Sequence, residues 1–525
     1  MFREIYKNYY SFLKIEFFIE NINEGTIKMT HSRYISFILI FAIILLTNCS
    51  SKIKKTYTVI CFDTEDYITP AEERIDDIPK LLAETMIEEG MTGTFFIIGE
   101  KARSLEQRSR EDVIDAMAKH DIGSHTNLGS VHPTITEFLE NAEWHSGVDS
   151  MKQREKIGFQ DIERIFGKKI ATFSRHGGSY GPQLVSALGQ IGKGYVYSPI
   201  YLDENHHIVW FCNALNFHGY WGDPDGFDDF YYKDELFNPA FEKFKENFDQ
   251  LMQEKDFIAL FFGHPTKIRS KQFWDSCNYA YGVNTLPEKW KAPELRPKES
   301  METARKNFRR LMKFCKEQKK NVEFTTFSEL MERFSYQKEF VTLNELVTLS
   351  EKIISENRPI IGKYFSPAEI FTALAEEIKA FSENGNLLKQ VERATVLGPI
   401  EMPLSEPEIS SITQQQINST AKRVFDYIKQ NGMIPGNVEV DGKKIGAGSL
   451  LRLFSRYFLD CTENSTNMSY AVISFDPYPR DNEENLKKEL EECRVWPIHK
   501  PDLDMSKITY YTMLQCWTLK PATEK

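Results

Sequence analysis

Short apolar runs and helically spaced apolar positions alternate along the middle of the chain. Thr56–Phe62 alternates and then becomes wholly apolar, as a strand buried on both faces does. Ile75–Glu89 carries apolar residues at helical spacing and stops at Gly90, a C-cap signal. Thr92–Ile98 reads as the next strand. Ser109, with Asp112 three positions on, resembles a capping box and opens a helix to about Lys119. A short strand near Ile122 precedes Glu137–Phe166, helical over most of its length, and the strand Ile170–Phe173. A helix over Gln183–Ile191, strand-like Tyr195–Ser198 and the strand Ile208–Leu215 follow. The helix Pro239–Glu254 then leads to the strand Phe257–Phe262, the helix Glu299–Gln318, the strand Val322–Thr325 and a closing helix. Strand and helix alternating along this region predict an α/β fold with a mostly parallel sheet, and seven or eight strands suffice to close a barrel.

The texture changes on either side of this region. From residue 337 to 525 the pattern is mainly helical, with amphipathic stretches at Leu343–Glu356, Ser366–Phe381, Gln414–Gln430 and Ser449–Phe458. The second opens Ser-Pro-Ala-Glu, with Pro at the first helical position. The helix pairs around 343–381 and 416–458 suggest a degenerate repeat. This part reads as an accessory domain without a catalytic constellation. At the other end, Ile35–Leu46 is an unbroken apolar run, too short for the roughly 20 residues of a membrane span and suited to a secretory signal. It ends Leu46-Thr47-Asn48-Cys49-Ser50-Ser51, similar to a bacterial lipobox, in which Cys49 would be lipidated and become the first mature residue. A plain signal peptide is the alternative. Residues 1–50 are thus read as an N-terminal extension with a lipoprotein signal, and 53–336 as the catalytic region. The expected product is exported and held to the cell envelope by a lipid anchor.

Composition narrows the partners. A net charge of −11 over 525 residues, with no basic block, argues against nucleic acid. The eight cysteines form no Cys-x-x-Cys ladder, which argues against a zinc knuckle. Nothing in the sequence fixes the oligomeric state.

Chemistry concentrates in four pieces: Cys61-Phe62-Asp63-Thr64-Glu65-Asp66-Tyr67; Lys119–Thr126 with His132-Pro133 beyond it; Ser174-Arg175-His176-Gly177-Gly178-Ser179-Tyr180-Gly181; and Leu260-Phe261-Phe262-Gly263-His264-Pro265. Each falls at the C-terminal end of a predicted strand, where barrels of this class build their sites. Imidazole and carboxylate together suit zinc and other divalent ions.

In this order the four pieces resemble the signature of the polysaccharide deacetylase family (NodB homology, carbohydrate esterase 4), over about residues 55–335. The resemblance implies a distorted (β/α)7 barrel and removal of N-acetyl groups from a GlcNAc-containing cell-wall or extracellular glycan. It also implies a divalent metal, zinc being the first expectation. Asp63 matches the family's base. Thr64 stands where the family has its second acid, so Glu65 or Asp66 would take that ligand place. Asp63 and Glu65, two apart in extended backbone, share a face. His125 and His132 match the histidine ligands, at a wider spacing than usual. Arg175 matches the arginine that orients the base, and His264 the late general acid. His176 stands where Pro is common and has no role assigned; His120 reads as structural. Tyr180, and Trp221 in the aromatic, Asp- and Gly-rich segment His218–Phe227, are candidate substrate contacts. Thr64 and the stretched histidine pair would equally suit a catalytically impaired, glycan-binding relative.

Overall fold

The computed structural model describes residues 56–203, 205–219, 228–251, 257–320 and 322–525. Cys49, the apolar run before it and Trp221 lie outside the described residues. The chain from Thr56 to Lys525 forms one compact unit. Among the described residues no helix is long and apolar enough to cross a membrane.

The organising strand is β1 (Tyr57–Thr64), buried at every position. Such a run has covered faces on both sides and belongs at the middle of a parallel sheet. It pairs in parallel with β2 (Thr94–Ile97) and β8 (Phe257–Phe261), and its start also pairs with β9 (Glu323–Thr325). Beyond β2 come β3 (Asp121–Ser124), β4 (Thr172–Ser174) and β5 (Gly194–Val196), all parallel. The hairpin β6 (Ile208–Phe211) and β7 (Ala214–Phe217) continues the sheet through β7. The result is an α/β fold whose sheet curls into a half-barrel. The register aligns the strand exits: Thr64 lies beside Ile97, Ile97 beside Ser124, and Ser124 beside Phe173.

Local chemistry revises several expected boundaries. Ile208–Leu215 is not one strand, because Cys212 and Asn213 adopt φ of 50° and 60° and turn the chain back on itself. Two successive left-handed residues are what a two-residue hairpin turn requires. Ser109 does not cap; it has φ of 49°, and the helix begins at Glu111. The long helix expected from Glu137 is two, Ile135–Leu139 and Trp144–Phe166, and the helix Gly99–Gln107 has no counterpart in the sequence pattern.

After β9 the chain builds two similar units. In the first, the strand Phe340–Thr342 leads into the helices Leu343–Glu356 and Pro367–Asn384 and closes with the antiparallel strand Gln390–Glu392. In the second, Ser411–Thr413 leads into Gln414–Asn431 and Ala447–Thr462 and closes with Ser469–Ala471. Both first helices start from a capping box, Thr342 with Glu345 and Thr413 with Gln416. The first helix of each unit packs on the second helix of the other. The repeat is therefore a reciprocal pair of β-α-α-β units. The last residues return to the barrel, where Lys520–Pro521 pairs antiparallel with β6.

Candidate metal centre

Four strand exits deliver the candidate side chains to one place. Asp63 and Glu65 share a face at the end of β1, while Thr64 between them points away and is buried. His125 leaves β3, His176 leaves β4, and His264 follows β8. Ligand atoms of Glu65, His125 and His176 all lie within 4.8 Å of one another, and so do those of Asp63, Glu65 and His264.

Glu65 is the hub. Its Oε1 is 3.1 Å from His125 Nε2, 3.1 Å from His176 Nδ1 and 3.8 Å from His264 Nε2. Its Oε2 accepts a 2.7 Å hydrogen bond from Trp274 Nε1, which fixes the carboxylate plane. Burial pushes the Glu65 carboxyl up, but His176, His264 and His125 outweigh it and hold it well below the usual range. Asp63 Oδ2 lies 3.6 Å from His125 Nε2 and its Oδ1 has no partner. Burial raises Asp63 well above the usual carboxylate range, and His264 only partly counters it. Burial lowers His125 to about 4. Burial also disfavours charge on His264, yet the carboxylates of Asp228, Glu65 and Asp63 lift it to about 10. Asp228 grips His264 twice, accepting from its backbone N–H at 2.5 Å and from Nδ1 at 2.8 Å.

The donor set fits a divalent cation. His176 Nε2 is 2.8 Å from Ser130 Oγ, and that hydroxyl donates to Asp275 Oδ2 at 2.8 Å. Ser130 Oγ then accepts the Nε2 proton, and in the neutral ring the Nδ1 lone pair faces a carboxylate oxygen. Nδ1 is buried and makes no well-aligned hydrogen bond, although Glu65 Oε1 is 3.1 Å away. With the ring neutral, two lone pairs at 3.1 Å repel each other until a proton or a metal cation lies between them, and an outer acceptor that sets the tautomer is the usual support of a metal-binding histidine. The ligand types, two imidazoles and one carboxylate, are those of catalytic zinc sites. This cluster borders a cavity of about 320 Å³.

Several residues expected here are elsewhere. His132 is not beside the cluster: its Nδ1 meets Glu137 Oε2 at 2.6 Å and its Nε2 the Tyr279 carbonyl at 2.7 Å, so neither nitrogen is available. The six residues between His125 and His132 carry it past the strand exit, and His176 takes the second imidazole place. Asp66 closes a local turn instead, accepting from the N–H groups of Ile68 and Thr69 and from Thr69 Oγ1. Arg175 borders the cavity but donates to Cys493 Sγ at 2.7 Å rather than to Asp63. Tyr180 is wholly buried with its hydroxyl 3.2 Å from Thr512 Oγ1, and so cannot touch a substrate. Asp228, Ser130, Trp274 and Asp275 also belong to the site, and no spacing in the sequence links them to the motifs.

No protein-family model matches the chain, and no curated protein matches it. Among solved structures, a candidate polysaccharide deacetylase from Mycobacterium smegmatis is 14% identical, over 54% of this chain and 91% of that one, with a TM-score of 0.32. A mutant form of the peptidoglycan deacetylase PdaC from Bacillus subtilis is 11% identical, over 53% and 91%, with a TM-score of 0.26. A carbohydrate esterase 4 pseudoenzyme from Bacillus anthracis is 10% identical, over 53% and 66%, with a TM-score of 0.27.

Proposed function

We propose that this protein is a metal-dependent hydrolase that removes N-acetyl groups from a GlcNAc-containing glycan and releases acetate. One observation carries the reading: two imidazoles and a carboxylate converge at 3.1 Å spacings, with a second carboxylate and a carboxylate-gripped imidazole beside them. Glu65, His125 and His176 would hold the ion. A divalent cation in that position, zinc first, supplies Lewis acidity toward the acyl oxygen and lowers the pKa of water.

The remaining steps belong to the chain's own groups. Asp63, with one oxygen unpartnered, takes a proton from the attacking water; the positive charge of an ion held by Glu65, His125 and His176 beside it would favour the carboxylate form that this needs, against the effect of burial. His264, held by Asp228 with Nε2 facing the cluster, gives a proton to the departing amine. Those are the base and acid that amide hydrolysis requires. Burial of the cluster strengthens each of these interactions.

Acetate release from chito-oligosaccharide and from peptidoglycan, measured before and after chelation and again after zinc is restored, tests the reading. Release that ignores chelation, or none at all with full metal content, rejects it. The bond from Arg175 to Cys493 instead of Asp63 favours a second reading, glycan binding without turnover. Stoichiometric metal with sugar binding and no acetate would establish that alternative. We further propose export with a lipid anchor on Cys49. Labelling with a radioactive fatty acid, lost in Cys49→Ala, checks it.

A further inference from the structure

The cavity beside the cluster is not built by the barrel alone. Trp496, Pro497 and Ile498, some 170 residues beyond β9, line it together with Asp63, Glu65 and His176. The Trp496 ring stands edge-on to His176, with centroids 5.2 Å apart and planes at 87°, and edge-on to His499 at 5.1 Å and 86°. It occupies the space above Gly177, where a Cβ would fall 2.1 Å from Trp496 Cε2. Gly177 thus admits this ring, and Gly178 admits the Cys493 carbonyl and Trp496 Cβ. On the far side, Phe273 flanks His264, with centroids 4.9 Å apart and planes at 84°.

The segment carrying Trp496 is firmly held. The N–H groups of Tyr281 and Gly282 donate to the carbonyls of Pro497 and Ile498 at 2.9 and 3.0 Å. Glu137 Oε1 accepts from the Lys500 N–H at 2.8 Å while its Oε2 engages His132. Ile498 packs into one small cluster with Trp274, the residue that fixes Glu65. Trp496 itself keeps part of its surface exposed. The cavity therefore has a charged floor and aromatic side chains beside both flanking imidazoles. That combination suits a saturated ring with one C–H face and polar edges, since apolar walls with a few placed polar groups are how small ligands are recognised.

We infer that Trp496 is the platform for the sugar ring, so that the C-terminal part of the chain supplies a specificity-determining residue to the site. The identity of the ring as an N-acetylated pyranose rests on the deacetylase reading; the position of the platform rests on the geometry. The test uses the full chain loaded with zinc and triacetylchitotriose as probe. Acetate release is measured for the wild type, Trp496→Ala and Trp496→Phe. Binding is measured by calorimetry in an Asp63→Asn background, with metal content and thermal melts as controls. Trp496→Ala should raise KM and Kd about tenfold or more, with a much smaller fall in kcat, and Trp496→Phe should recover most of the loss. A wild type that releases acetate, with a Trp496→Ala KM within about twofold of its own, overturns the platform and leaves the deacetylase reading standing. Sugar binding that depends on Trp496 without acetate release supports the platform and rejects deacetylation. Loss of metal from a folded Trp496→Ala protein overturns the inference, because the ring would then be supporting His176. A wild type that neither binds nor deacetylates the probe overturns both.

Discussion

At the scale of single residues, the two histidines that bracket the metal assignment give opposite expectations. His176→Ala removes a nitrogen that faces Glu65 Oε1 at 3.1 Å, so bound zinc should fall below stoichiometry. His132→Ala removes a contact to Glu137 and to the Tyr279 carbonyl, so zinc should stay near one per chain. Metal analysis after dialysis separates the two, and equal losses would contradict the assignment. Ser130→Ala frees the His176 tautomer and should weaken zinc by roughly 10–100-fold, the usual effect of losing an outer-shell partner. Asp63→Asn should retain zinc and lower kcat by roughly 10²–10⁴, the contribution of a positioned base. The sequence made Asp63, Glu65, His125 and His264 readable, because each sits at the exit of an apolar run. It could not separate Glu65 from Asp66, since only the strand's pleat and the turn closed by Asp66 do that. Nor could it exchange His132 for His176, because that choice depends on where the chain after β3 leads.

Among elements, the strands with continuous apolar runs were legible and the hairpin was not. The burial that makes β1 and β8 recognisable is a local property, whereas the β6–β7 turn rests on two left-handed residues, neither of them glycine. The capped helices beyond β9 also follow from local sequence, as Thr342 with Glu345 and Ser366 with Glu369 show. One of these helices carries a titration that should be measurable. Glu377, wholly buried on Pro367–Asn384, accepts one hydrogen bond from the Leu388 N–H, and its Oε1 has no partner. Burial raises its carboxyl from 4.5 to about 7. The folded state then binds more protons than the unfolded state between those values, so stability falls as pH rises from about 4.5 to about 7 and is level above. The full effect of such a shift is up to about 3 kcal/mol. Glu377→Gln should make this slope shallower, the remainder belonging to groups such as Glu155, whose carboxyl burial also raises to about 7; urea midpoints at about pH 5 and about pH 8 would show the difference. A slope unchanged in the variant would mean that Glu377 contributes nothing to it.

At the scale of the whole molecule, the change of texture near residue 337 does not coincide with a break in packing. Lys520 adds to β6 and its Nζ reaches Glu369 at 2.7 and 2.9 Å, so the final residues tie the sheet to the helical units. Thr518 Oγ1 accepts from the Cys212 N–H at the β6–β7 turn, and Tyr180 meets Thr512. Trp517 is wholly buried, with its indole N–H on the Pro477 carbonyl. A chain ending at residue 336 would expose the faces of β6 and of the helix Pro182–Gln190 that these residues cover. At about 25 cal/mol per Å², baring roughly 200–600 Å² of apolar surface is enough to cancel the ~5–15 kcal/mol by which a typical domain is stable. The truncated chain should therefore be insoluble or lack a cooperative melt. Residues 56–525 should instead unfold in one urea transition, the same by tryptophan fluorescence and by far-ultraviolet circular dichroism. Two separated transitions, or a soluble and cooperatively folded 56–336 fragment, would show that the barrel stands alone. In that event the fragment would still lack Trp496, and its affinity for triacetylchitotriose would report directly on what the C-terminal part gives the site.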